Sequence, residues 1–155
     1  MKPLLLLIIF SFTFSVYAFE TTIATFDFIE DNTSNPQYKG ILADLLAVEL
    51  SKNPDLKLLE RAEMEKILKE HELAFNNPVN AIKTGNILGA EYILFGRVYS
   101  VEDETYINVK FINCKTGKIN GTVIEKKSAV KNKDMLSIVK QIASFVNSTV
   151  QQTAK

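Results

Sequence analysis

The sequence predicts an α/β domain built on a single mixed sheet, with its elements in the order βαβααβββα. Three stretches carry that expectation. Asn77 to Tyr99, NPVNAIKTGNILGAEYILFGRVY, changes from helical to strand spacing at Gly89. Gln37 to Lys52 repeats large apolar residues at helical spacing between two short apolar runs, as a crossover between parallel strands would. Thr105 to Asn113 alternates apolar and polar residues, the mark of an antiparallel strand with one wet face.

Met1 to Ala18 stands apart from the domain. Lys2 is its lone charge, Leu4 to Phe14 is an apolar run, and Val16-Tyr17-Ala18 offers the pattern a signal peptidase reads. We expect a secretory leader in residues 1–18, cut after Ala18, and one domain in residues 19–155 with its last few residues frayed. An uncleaved anchor is the rival reading, but the run is shorter than the ~20 residues that span a bilayer.

Thr21 to Ile29 is the first strand, with Ala24, Phe26 and Phe28 expected on one face and Asp27 on the other. Glu30 to Pro36 is a loop of residues that bond their own backbone. In the helix Gln37 to Lys52, Ile41, Leu45 and Val48 form a stripe, with Leu42, Leu46 and Leu50 beside it. Asn53-Pro54 stops that helix, and Leu56 to Leu59 is a short strand. Glu60 to Leu73 is the second helix, its buried stripe expected to be Met64, Ile67, Leu68 and His71. Glu65 and Lys69 sit at favourable ion-pair spacing.

Asn77-Pro78 starts the third helix, Gly85 allows close backbone approach, and Gly89 suits the left-handed residue that ends it. Glu91 to Tyr99 then points Tyr92, Leu94, Gly96 and Val98 one way and Ile93, Phe95, Arg97 and Tyr99 the other. Both sets are mostly apolar, so we expect a central strand covered on both sides. After the acidic turn Glu102-Asp103-Glu104 and the strand Thr105–Asn113, Thr116-Gly117 turns the chain into a third strand, Lys118 to Lys126. The last helix starts near Asp134 and carries Met135, Ile138, Val139, Ile142, Val146 and Val150 on one face. Right-handed crossovers should place the first two helices on one side of the sheet. The last helix should cover apolar surface left open.

With 18 basic and 18 acidic residues the formal net charge is zero, so no global field draws the chain to nucleic acid. Cys114 is the only cysteine and His71 the only histidine. They allow neither an internal disulfide nor a zinc site. Export without disulfides fits a bacterial periplasm.

Candidate chemistry is sparse. Asp27, Glu30 and Asp31 gather near a parallel strand's end, where ligands of open α/β sheets often sit. The simpler reading is an aspartate anchoring a loop. Arg97 is the one charge on an otherwise apolar strand face, either pairing with a carboxylate, Asp27 being the candidate, or meeting an anionic ligand. His71 has no serine elbow to work with and reads as a structural residue at a helix end. Lys126, Lys127, Lys131 and Lys133 form a basic patch, read as a solvated linker or as a contact for anionic lipid or cell-wall polymer. We therefore assign no catalytic, cofactor-binding or metal residues and expect no enzyme.

Five stretches together resemble the CsgG family, that of the curli production assembly/transport component. They are ATFDFIEDN (Ala24–Asn32), GILADLLAVELSK (Gly40–Lys52), LKLLERAEMEKILKEHEL (Leu56–Leu73), AIKTGNILGAEYILFGRV (Ala81–Val98) and INVKFINCKTGKI (Ile107–Ile119). The resemblance implies a fold similar to anticodon-binding domains, in envelope proteins without catalytic activity that work by assembly, transport or protein contact. Activators of penicillin-binding proteins, flagellar outer-membrane components and the N-terminal domain of TolB look similar. It implies an envelope partner, self-association or both, with no nucleic acid, and leaves room for peripheral outer-membrane association. Two departures matter. The channel-forming member is a lipoprotein, whereas this chain has no cysteine near the cut. The turns Ser100–Glu104 and Lys115–Lys118 also carry no insertion long enough for a membrane hairpin, so we expect the family's core without a pore.

Overall fold

A computed structural model of the chain describes residues 20–30, 38–71, 78–102, 104–126 and 132–153. The expected leader, the loop 31–37, the link 72–77, Asp103 and the linker residues 127–131 lie outside the described residues. The elements run β1 (Thr21–Thr25), β2 (Ile29–Glu30), α1 (Tyr38–Leu50), β3 (Leu56–Leu58), α2 (Arg61–Glu70), α3 (Pro78–Leu88), β4 (Tyr92–Val101), β5 (Glu104–Asn113), β6 (Ile119–Lys126) and α4 (Asn132–Thr153). Apart from the split of the first strand, this is the order the sequence predicts.

The strands form one mixed sheet in the order β3-β1-β4-β5-β6, with β2 pairing further along β4. β1 is parallel to both β3 and β4, while β5 and β6 add on as an antiparallel meander. β4 is central, as its apolar faces predict.

The first strand departs from expectation in an instructive way. Thr25 pairs with Leu94 and Ile29 with Arg97, so β1–β2 takes four steps where β4 takes three. One extra residue at 26–28 is a bulge, and it reverses the alternation of side chains. Ala24 and Phe26 therefore enter one core cluster, while Phe28 enters the cluster on the opposite face of the sheet. Gly96 makes room for it: a methyl group there would land on the Phe28 ring.

The two helical crossovers lie on opposite faces, against the expectation that α1 and α2 share one. Chain direction explains this. From β1 the chain moves out to β3, then returns across β1 to reach β4. Two right-handed crossovers running in opposite directions must use opposite faces. α1 and α4 accordingly cover the face of Ile23, Leu94, Val98, Ile107, Val109 and Phe111. α2 and α3 cover the face of Ala24, Ile93, Ile112 and Cys114.

Local sequence accounts for how each helix sits. α1 buries Leu42, Ala43, Leu46 and Leu50, while Ile41 and Val48, expected in its stripe, are exposed and Leu45 is half-buried. Both stripes satisfy helical spacing; the leucine set wins because it offers more continuous apolar surface to the sheet. α2 buries Met64 and half-buries Ile67 and Leu68, but His71 is exposed at the helix end, its N–H donating to the Ile67 carbonyl at 3.1 Å. The ion pair on its outer face is Lys66–Glu70 at 4.0 Å. In α3, Gly85 lies so close to the sheet that a methyl group there would strike Cys114 Sγ and press on Ile93. Gly89 ends α3 at φ +67°, and the Ala90 N–H closes the turn on the Gly85 carbonyl at 2.9 Å. α4 buries Met135, Ile138, Val139, Ile142 and Val146, the face its sequence marks, and Asn53 donates to Asn147 at 2.8 Å to tie the end of α1 to it.

Candidate functional site

The polar residues singled out by sequence do not converge. Asp27 sits in the bulge and pairs with Arg61, the first residue of α2, rather than with Arg97. Arg61 Nη1 also donates to Asp44 Oδ1 on α1 at 2.7 Å, so one guanidinium bridges two carboxylates from different elements. The Asp27 and Asp44 side chains are 42% and 67% exposed, which limits such pairs to ~0.2–1 kcal/mol each. Arg61 and Asp44 went unnoticed in the sequence. The one signal in the sequence is a cation at the start of a helix, where the dipole favours acidic groups.

This network lines a cleft of about 350 Å³ whose walls include Thr25, Asp44, Val48, Ser51, Leu59 and Arg61. It lies where β1 and β3 end, the place sequence reasoning marked for a ligand. The charged groups there already satisfy one another. Glu30 belongs to β2, and Asp31 lies outside the described residues. His71 is exposed at the end of α2 and takes no part. Cys114 is buried behind α3, and burial raises its thiol from 9.0 to about 11, which keeps it protonated and unreactive. Among the described residues no three His, Cys, Asp or Glu side chains come together as a metal site. Of the basic patch, Lys126 ends β6 and Lys133 lies in the first turn of α4, while Lys127 and Lys131 lie outside the described residues.

Arg97 belongs to a different feature. β4 was expected to be covered on both sides, but α2 and α3 shield only its first half. Past Phe95, the strand shows Arg97, Tyr99 and Val101 on that side, Arg97 and Val101 being exposed and Tyr99 half-buried. Register extends the patch across the sheet. Arg97 lies between Ile29 and Asn108, with Val123 beyond, and Tyr99 lies beside Tyr106. The two tyrosine rings stack at 5.4 Å, and the Tyr106 hydroxyl donates to Glu104 at 2.5 Å. Val101 and Val123 are each 54% exposed, and Ile29 and Ile119 on the same sheet are exposed as well. β6, with Val123, forms one edge of the sheet. An apolar and aromatic face with one cation, next to a sheet edge, is equipped to bind another protein surface.

The fold is one mixed sheet with helices on both faces, and this exposed face lies beside its edge. The family profile described as curli production assembly/transport component CsgG matches residues 11–106, and the chain belongs to the CsgG family. Among solved structures, the chain is similar to the LpoB C-terminal domain from Salmonella enterica, with a TM-score of 0.60 and 14% identity over 70% of this chain and 83% of that one. It is similar to TolB from Acinetobacter baumannii, with a TM-score of 0.58 and 11% identity over 84% of this chain but 28% of that one. It is also similar to lipoprotein GNA1162 from Neisseria meningitidis, with a TM-score of 0.52 and 16% identity over 87% and 97%. At these identities the likeness is one of fold. No curated protein matches the sequence.

Proposed function

We propose that this protein is a non-enzymatic module of the bacterial envelope that works by protein contact, supporting the secretion or assembly of cell-surface structures. The observation that carries this reading is the bare half-face around Arg97, Tyr99 and Val123, which is exposed apolar and aromatic surface on a CsgG-family fold. The mutual pairing of Asp27, Arg61 and Asp44 supports it too, because those charges serve architecture. On this reading the leader is cut after Ala18 and the domain works in the periplasm. No helix among the described residues is long and apolar enough to cross a membrane.

Crosslinking in the periplasm followed by capture tests the proposal. Wild-type chain should bring down a defined envelope partner, and Arg97→Ala or Val123→Asp should lose it while keeping the fold. A chain that captures nothing sinks the reading. Likeness to an LpoB domain favours a second version, in which the partner belongs to cell-wall synthesis, as sequence resemblance to penicillin-binding protein activators implies. The identity of the captured protein separates the two.

A further inference from the structure

The cleft beside Arg61 sits where the topology opens the sheet. After β1 the chain goes on to α1 on one face, and after β3 it goes on to α2 on the other. β1 and β3 are neighbours, so the chain diverges at their carboxyl ends and leaves a crevice there.

Two groups on its wall stand outside the Arg61 network. Thr25 follows Ile23 by two residues and so points to the α1 side of the sheet. It is 8% exposed, lines the cleft, and its hydroxyl meets no hydrogen-bond partner among the described residues. A buried hydroxyl without a partner is costly, which makes it a marker for a group brought from outside. Glu60 follows Leu58 by two residues through extended backbone (ψ 134°), and Leu58 pairs with Ile23. Its carboxylate therefore reaches the cleft at the level of Thr25. It makes neither a helix cap nor an ion pair among the described residues.

The charge at this end is unbalanced. Asp27, Asp44 and Glu60 are three carboxylates against the one guanidinium of Arg61. Lys57, the cation of β3, alternates with Leu56 and Leu58 and takes the other side of the sheet. Along the rest of the cleft the lining is apolar. Ala43 and Ala47, one turn apart on α1, are small enough to keep it open beside Val48 and Leu58.

We infer that this cleft binds a primary alkylammonium group. The ammonium donates to Thr25 Oγ1 and to the Glu60 carboxylate, and the aliphatic stem lies along Ala43, Ala47 and Val48. An ammonium brings three donors and no acceptor, which matches a hydroxyl oxygen beside carboxylates. An anion would meet excess negative charge, and an alcohol would leave Glu60 without a counter-charge. About 350 Å³ suits a stem of about five carbons. Such a group comes from a free alkylamine or from a lysine of another protein. The inference does not rest on the partner reading, because the bare face lies on the opposite side of the sheet.

Titrating the isotope-labelled chain, purified from an exporting host, with n-pentylamine at neutral pH and following its amide NMR signals tests this. Signals of residues 43–48 and 58–61 should shift with a Kd on the order of 1 mM, and pentanol should leave them in place. Glu60→Gln and Thr25→Val should each weaken binding ~5-fold or more. Ala47→Leu, which fills the groove, should weaken it at least ~10-fold. Thr25→Val keeps the side chain's shape and removes the unpartnered hydroxyl, so its melting temperature should hold or rise while affinity falls, a split that misfolding cannot produce. Nα-acetyl-lysine methylamide is the second probe. Tighter binding than pentylamine assigns the cleft to a lysine of another protein, weaker binding to a free amine, and either ranking supports the site. No shift in the cleft up to ~20 mM of both probes overturns the inference. So does pentanol binding as well as pentylamine, or binding indifferent to Glu60→Gln and Thr25→Val.

Discussion

The two halves of β4 belong to one unbroken strand but live in different surroundings. From Tyr92 to Phe95 the strand lies between two helical layers, and Tyr92, Ile93 and Leu94 are buried. From Arg97 to Val101 the described residues cover only the α1/α4 side, and Val98 alone of that stretch is fully buried. The first half spends its apolar residues on the fold. The second keeps some for other surfaces. The difference comes from where the α2–α3 layer stops, since a tyrosine and branched aliphatic residues occur in both halves.

Substitutions on either side of that divide should separate by size. The largest effect should follow Phe28→Ala, which empties a fully buried site beneath Gly96 and should cost about 3–5 kcal/mol in urea unfolding. Tyr99→Ala, on the bare side, should cost far less; equal losses would erase the distinction. Gly96→Ala and Gly85→Ala come next. Each forces a methyl against a packed neighbour, Phe28 in one case and Cys114 in the other, and should cost about 1–3 kcal/mol.

The buried thiol gives a test by pH. Folding raises the Cys114 pKa from 9.0 to about 11, so the folded chain favours the protonated form. Its contribution is complete below about pH 9 and is lost as pH rises toward about 11. Folded chain should therefore resist alkylation at pH 8 while urea-unfolded chain reacts readily. Rapid labelling of the native chain would mean that α3 does not shield this site. The smaller effects fall at the surface. Asp27→Asn should cost under ~1 kcal/mol, since the pair it breaks is well exposed. Val123→Thr should stay within ~0.5 kcal/mol, which would set the bare face apart as surface the fold does not require.

Much of the fold was legible in the sequence because periodicity and punctuation agreed. Gly89 and Gly117 both adopt positive φ where a helix end and a turn were read, and the apolar face of α4 is the one its spacing marks. What periodicity could not supply was anything that depends on a neighbour. Two apolar stripes on α1 were equally helical, and only the sheet chose between them. The face given to each crossover depends on strand order, which no single element encodes. Asp27 pairs with Arg61 and not with the expected Arg97, because the chain reverses between β3 and α2 and brings Arg61 close. The open face was missed because β4's alternation continues unchanged past the point where its helical cover ends.

The extra residue between Thr25 and Ile29 has an evolutionary corollary. It makes the length of this short segment a stricter requirement than its spelling. Conservative exchanges there should be absorbed, whereas dropping a single codon would set three steps against three, straighten the strand and take away the kink that carries a carboxylate to Arg61. Natural variants should thus drift in letters at this spot while holding its count fixed.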